Sequence, residues 1–155
     1  MTIAEILTSN RVRLDVHAPS KKRALEALSE LLAEAHPEIT SRTVFDRLFA
    51  RERLGSTGLG CGVALPHGRV PNLDRTVGAF IKIDGGIDYD SPDGEPVDLM
   101  FALLVPEECT EEHLNLLAEL AGIFDDDELR EALRHETSPR VVCETMGKRC
   151  APRAA

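Results

Sequence analysis

The stretch Gly55-Ser-Thr-Gly-Leu-Gly-Cys-Gly-Val-Ala-Leu-Pro-His67-Gly-Arg69 ends a glycine-dense run on a single histidine. Histidine is the side chain whose ordinary pKa lies nearest neutrality, so an accessible neutral imidazole is a usable nucleophile. Glycines let backbone N–H groups approach an anion closely, as phosphate cradles require. Pro66 fixes the preceding backbone, and Gly68 removes a flanking side chain. The spacing predicts a Pro-His-Gly corner that presents the imidazole, and the chemistry it suggests is acceptance of a phosphoryl group. The plainer alternative is a flexible turn followed by a surface histidine.

Nucleotide-binding loops fit the run poorly. Gly55-x4-Gly60 continues with Cys61-Gly62 rather than the Lys-Ser/Thr of a phosphate-binding P-loop. Gly58-x-Gly60 meets Val63 where a dinucleotide fingerprint needs glycine, and a strand rather than a helix follows. Two other features bear on phosphate chemistry. His113 falls in the first turn of a predicted helix, above an apolar stripe of Leu116, Leu117 and Leu120. The positive helix end favours a neutral ring there, able to donate one hydrogen bond. A core-edge histidine with a structural hydrogen bond is the competing reading. Arg47, Arg51 and Arg53 form a basic cluster before the glycine run, and arginine binds phosphoryl oxygens in a planar fork. Such arginines also commonly just solvate a helix end. A metal site from His67, His113 and Cys61 lacks any metal-binding motif, and Asp125–Glu128 lacks the alternating ligands of a calcium loop.

The elements that must position these residues are legible in outline. Arg11–Val16 alternates like a half-buried strand. Ser20 caps a helix carrying Ala24, Leu25, Leu28, Leu31 and Leu32. A second helix follows Thr40 or Ser41, with Val44, Phe45, Leu48 and Phe49 expected on its inner side. Gly62–Leu65 reads as a short strand entering the histidine corner, and Val77–Ile83 as another. Val97–Val105 is nearly all apolar, as in a central strand covered on both faces. Beyond Pro106, helices are predicted from Thr110 as N-cap, over Asp127–His135 and over Pro139–Lys148. The order suggests an α+β, α/β/α three-layer fold, with a mixed sheet of about four to five strands. Residues 1–150 read as one domain and 151–155 as a frayed tail.

Composition narrows the class. The chain has 155 residues, a net charge of −9, 43% hydrophobic residues and no tryptophan. The acidic balance argues against nucleic acid as main partner. No apolar run approaches the ~20 residues of a membrane helix. The start lacks the blocks of a signal peptide. Cys61, Cys109, Cys143 and Cys150 show no C-x-x-C spacing, so reduced cysteines in the cytoplasm are expected.

The segment from Arg51 to Gly68 resembles the phosphorylation-site signature of the fructose/mannitol-type enzyme IIA domains of the bacterial phosphotransferase system. Pro96–Pro106 and the Thr110-x-x-His113-Leu114 pattern also match, so the resemblance spans about Leu14 to Leu133. The Gly-Ser-Thr-Gly wording, in a chain of this length with no attached IIB or IIC region, is most similar to the nitrogen-regulatory branch. The C-terminal helices match least well. The resemblance implies a mannitol-type enzyme IIA-like fold and His67 as tele-phosphohistidine acceptor, with Arg51 and His113 completing the site. Thr57 and the backbone of Gly58, Gly60 and Gly62 are then expected around the phosphoryl group. No metal or cofactor is required. The implied donor is an HPr-like phosphocarrier, and the acidic surface would suit a basic docking patch on it. Regulatory targets, such as a kinase or a potassium-transport protein, would read the phosphorylation state. The alternatives are a sugar-transport IIA that serves a fructose/mannitol-type IIB and, more remotely, a non-catalytic binding module of the same fold.

Overall fold

The computed structural model describes residues 2–108 and 111–149, with the side chains of Glu112 and His113 outside the described set. The expected cap Thr110, Cys109, Cys150 and the tail 151–155 also lie outside the described residues. Helix α1 spans Ile3–Ile6, and strand β1 spans Val12–Val16. Arg11, expected in the strand, instead ends a 3-10 turn. Its buried guanidinium donates to the carbonyls of Ile6 and Gly78, which binds the turn to the sheet. Helices α2 (Lys21–Ala33) and α3 (Ser41–Glu52) follow. Both begin on hydroxyl caps, Ser20 accepting from the Arg23 amide and Thr40 from the Thr43 amide.

Next come β2 (Gly58–Gly60), β3 (Val63–Ala64), β4 (His67–Val70), β5 (Val77–Ile87) and β6 (Val97–Pro106). The chain closes with α4 (Glu111–Phe124), α5 (Asp127–His135) and α6 (Pro139–Arg149). The sheet runs β1-β5-β6-β3-β2, with β4 also paired to β6. It is mixed: β1 is parallel to β5, β5 antiparallel to β6, and β3 and β4 parallel to β6. Among the described residues, six strands replace the four to five expected, because Gly58–Gly60 and His67–Val70 pair where the sequence suggested a loop and a corner.

Alternation in β6 divides the core. Met100, Ala102 and Leu104 join α2 and α3 residues such as Leu25, Leu28, Val44 and Leu48. Leu99, Phe101, Leu103 and Val105 join Leu116, Leu120, Phe124, Leu129 and Met146 on the opposite face. A strand so covered on both sides must be apolar throughout, which explains its composition. The result is the three-layer arrangement. Phe49 is an exception to the expected pattern. It is 41% exposed and stacks on Phe45 from outside, with ring centroids 5.6 Å apart.

Candidate active site

His67 does not sit on a corner. Val63 lies opposite Leu99 and His67 opposite Leu103, four residues on in both strands. β3 and β4 thus follow β6 in one continuous register, broken only at Leu65-Pro66. Proline has no N–H to give the ladder, so pairing lapses there and resumes at the histidine. Pro66 still accepts the Leu103 amide at 3.0 Å, which keeps the break short. The side chain of His67 takes the α4 side of the sheet, like its neighbour Leu103.

Gly68 therefore faces α3. A Cβ there would lie 3.1 Å from both the backbone carbonyl carbon and the Cβ of Arg47. The missing side chain matters less for steric access to His67 than for letting α3 lie close against β4. One turn beyond Arg47, Arg51 is thereby brought to the histidine. A cleft of about 520 Å³ is lined by Arg47, Arg51, Leu54, His67, Arg69 and Leu114, among others. Leu114 and Leu117 belong to α4 and line it too. His113 directly precedes Leu114 in that helix, and its side chain lies outside the described residues.

His67 is partly buried, and its Nδ1 lies 2.9 Å from the Leu65 carbonyl oxygen. A carbonyl only accepts, so Nδ1 carries the proton and the neutral ring bears its lone pair on Nε2. Burial pulls the imidazole pKa below its usual value. The Leu65 hydrogen bond opposes that shift, the Arg51 and Arg69 charges add to it, and Glu52 opposes it. Burial thus favours the neutral ring, the form in which an imidazole can act as a nucleophile.

Arg51 donates from Nη1 to the Gly55 carbonyl at 2.9 Å. Of the other arginines in the sequence cluster, Arg47 lines the cleft and Arg53 is absent from its described lining, whereas Arg69 joins it. The net charge of −9 is thus not expressed on this lining, where three arginines surround the histidine. Leu54 and Leu114 stand out from it, 84% and 64% exposed.

The glycine run lies elsewhere. Thr57, Gly58, Gly60 and Gly62 are not among the described residues lining the cleft. The Thr57 amide and hydroxyl both donate to the Glu52 carboxylate, at 2.8 and 2.6 Å. The Gly58 amide donates to the Ser56 hydroxyl, and the Cys61 amide to Asp93 at 2.8 Å. Gly62, at φ +80, passes so close to Asp98 and Arg134 that a Cβ would lie 2.6 and 2.4 Å from their side-chain ends. Cys61 and Gly62 border a separate depression with Asp98 and Arg134. Sequence reasoning missed Arg69, Leu54 and Glu52. It passed over the one tyrosine of the chain, Tyr89, which is fully buried behind the run. Its rarity was the available signal.

The class is thus a doubly covered mixed α/β/α sheet that carries a histidine on a short strand among arginines. Residues 5–148 match the family described as phosphoenolpyruvate-dependent sugar phosphotransferase system, EIIA 2, and the chain belongs to that family. It is 46% identical over 132 residues to the nitrogen regulatory protein of Pseudomonas aeruginosa, covering 85% of this chain and 86% of that one. Its structure is similar to that of nitrogen regulatory protein IIA-Ntr from Neisseria meningitidis, with TM-score 0.88 and 46% identity. That likeness covers 93% of this chain and 98% of the other. The fold also matches enzyme IIAMtl from Escherichia coli in its complex with phosphorylated enzyme IIBMtl. There the TM-score is 0.73 at 22% identity, covering 92% and 97% of the two chains. Among the described residues, no helix is long and apolar enough to cross a membrane.

Proposed function

We propose that the chain is a cytoplasmic phosphoryl carrier that accepts a phosphoryl group on His67 from an HPr-like phosphocarrier and acts mainly in regulation. The observation that carries this reading is the Nδ1–H bond to Leu65, which leaves Nε2 as the basic atom of a neutral ring beside Arg51. Nε2 of His67 attacks phosphorus in line. The P–N bond to the carrier's histidine breaks, and its electron pair returns to that ring. The protein's part is positioning and charge stabilisation. Arg51, with Arg47 and Arg69 nearby, offsets the charge of the transferring group, and His113 assists from the start of α4. Thr57 acts indirectly, through the loop whose Gly55 carbonyl holds Arg51, while Gly58, Gly60 and Gly62 shape the backbone that leads on to His67. Leu54 and Leu114 supply apolar contact to the carrier around a basic centre.

Phosphorylation adds up to about two negative charges to this basic lining. That reversal suits a switch read by regulatory targets such as a kinase or a potassium-transport protein. The 46% identity to nitrogen regulatory proteins favours regulation over sugar transport. Passage of phosphate to a IIB domain is the second reading, favoured by the shared fold with a IIA that forms such a complex. Incubation with phosphoenolpyruvate, enzyme I and the carrier tests the proposal. Wild-type chain becomes labelled and His67→Ala does not; equal labelling of the two refutes it. Onward transfer to a sugar-specific IIB would select the transport reading.

A further inference from the structure

Behind Arg51 lies a buried polar network that the transfer chemistry does not use directly. Glu52 ends α3, and its side chain is 2% exposed. It receives the amide and hydroxyl of Thr57 and pairs with Lys21 Nζ at 2.9 Å. Because the Thr57 hydroxyl is spent on a carboxylate, its oxygen accepts from Tyr89, whose hydroxyl lies 3.2 Å away. Burial, then the Glu52 charge, holds that phenol protonated far above its ordinary range. The Tyr89 carbonyl in turn accepts from Ser56 at 3.1 Å and Lys21 at 3.3 Å.

These bonds tie residue 52 to residue 57 and close the intervening loop. The loop's midpoint is Gly55, whose carbonyl orients the Arg51 guanidinium. Arg51 and Glu52 are adjacent on the last turn of α3, so one side chain faces the cleft while the next anchors the loop that steers it. We propose that Glu52 and Thr57, backed by Tyr89, are positioning residues that set the Arg51 guanidinium for the phosphoryl group. This rests on the reading of His67 as phosphoryl acceptor. A loop left unclamped would keep Arg51 in the site but let it wander, and misplacement on the scale of 1 Å is costly to transfer chemistry.

Thr57→Val keeps the shape and the amide donor and deletes the hydroxyl; Thr57→Ser restores it. Transfer from the phosphorylated HPr-like carrier to the full chain is measured as kcat and KM. Thr57→Val is expected to lower kcat at least about tenfold, with KM for the carrier changed by less than about twofold. Thr57→Ser recovers most of the rate. With Arg51 already replaced by alanine, adding Thr57→Val costs nothing further, because the clamp acts through that arginine. Wild-type kcat in Thr57→Val, or an undiminished loss on top of Arg51→Ala, overturns the inference. If Thr57→Val fails to fold by circular dichroism, Tyr89→Phe carries the same test, with a smaller loss that also vanishes in the Arg51→Ala background. An unlabelled wild-type chain would refute the acceptor reading itself, a result distinct from any of these.

Discussion

At its Thr57 end the glycine run is gripped by a buried carboxylate, and at its Cys61 end by an exposed carboxylate and a half-buried guanidinium. Glu52, Thr57 and Tyr89 are buried next to the His67 cleft. Asp93 takes the Cys61 amide, while Arg134 reaches the Cys61 carbonyl at 2.6 Å and forks onto Asp98 at 2.8 and 3.0 Å. Lys82 secures the end of α5 by donating to the Arg134 and Glu136 carbonyls. The second grip joins α5 to the sheet edge. The first points toward Arg51. Similar numbers of hydrogen bonds thus serve different ends: one aims a side chain, the other fastens a helix.

Arg51→Ala and Arg134→Ala divide the two grips most sharply. Loss of Arg51 should slow phosphoryl acceptance by about 10²–10³-fold, the usual effect of removing one preorganised charge-stabilising donor. Loss of Arg134 should leave that rate within about twofold, because it acts on stability. A matched loss of rate in the two variants, measured by transfer from the phosphorylated carrier, would erase the distinction.

Gly68→Val tests how α3 is brought to the site. The new side chain meets the Arg47 backbone, so overpacking should cost about 2 kcal/mol in denaturant unfolding. The phosphoryl rate should fall as well, because α3 carries Arg51. Arg134→Ala should cost about 1 kcal/mol by the same measurement, the scale of a few lost, partly solvated hydrogen bonds. An unaltered unfolding midpoint for either variant would contradict the packing described.

The smallest effect concerns pH. Burial holds His67 below its ordinary pKa, so the unfolded chain binds its proton first as pH falls. Stability from this group is complete above about pH 6.5 and declines as pH drops through that value toward the folded pKa. Transfer should likewise stay level from pH 8 to about 6.5 and fall only below it. Replacement of His67 by asparagine should flatten the stability part. A decline that begins above pH 7 would place the histidine pKa on the wrong side.

How much of this was legible in the sequence differs between the same two regions. The helix over Asp127–His135, the Ser20 and Thr40 caps and the apolar β6 follow from local patterns, because capping and periodicity are local physics. The short strands β2 and β4 were not legible. Three residues with two glycines, or four with one, carry little pattern, and their pairing is decided by β3 and β6. His67 and Arg51 were visible as residue types. The glycines misled, because a run rich in positive φ suits a tight path beside Asp98 and Arg134 as well as it suits an anion. Glu52 was invisible, since a carboxylate next to an arginine on a helix reads as surface charge until Thr57, Tyr89 and Lys21 are seen to close around it.

The central claim is that His67 receives the phosphoryl group on Nε2. Nitrogen-15 and phosphorus-31 NMR of the phosphorylated full chain tests it most directly. The account predicts one acid-labile phosphate, bonded to Nε2 of His67, with Nδ1 still protonated toward Leu65. A phosphate on Nδ1, on another residue, or undiminished in His67→Ala would contradict it.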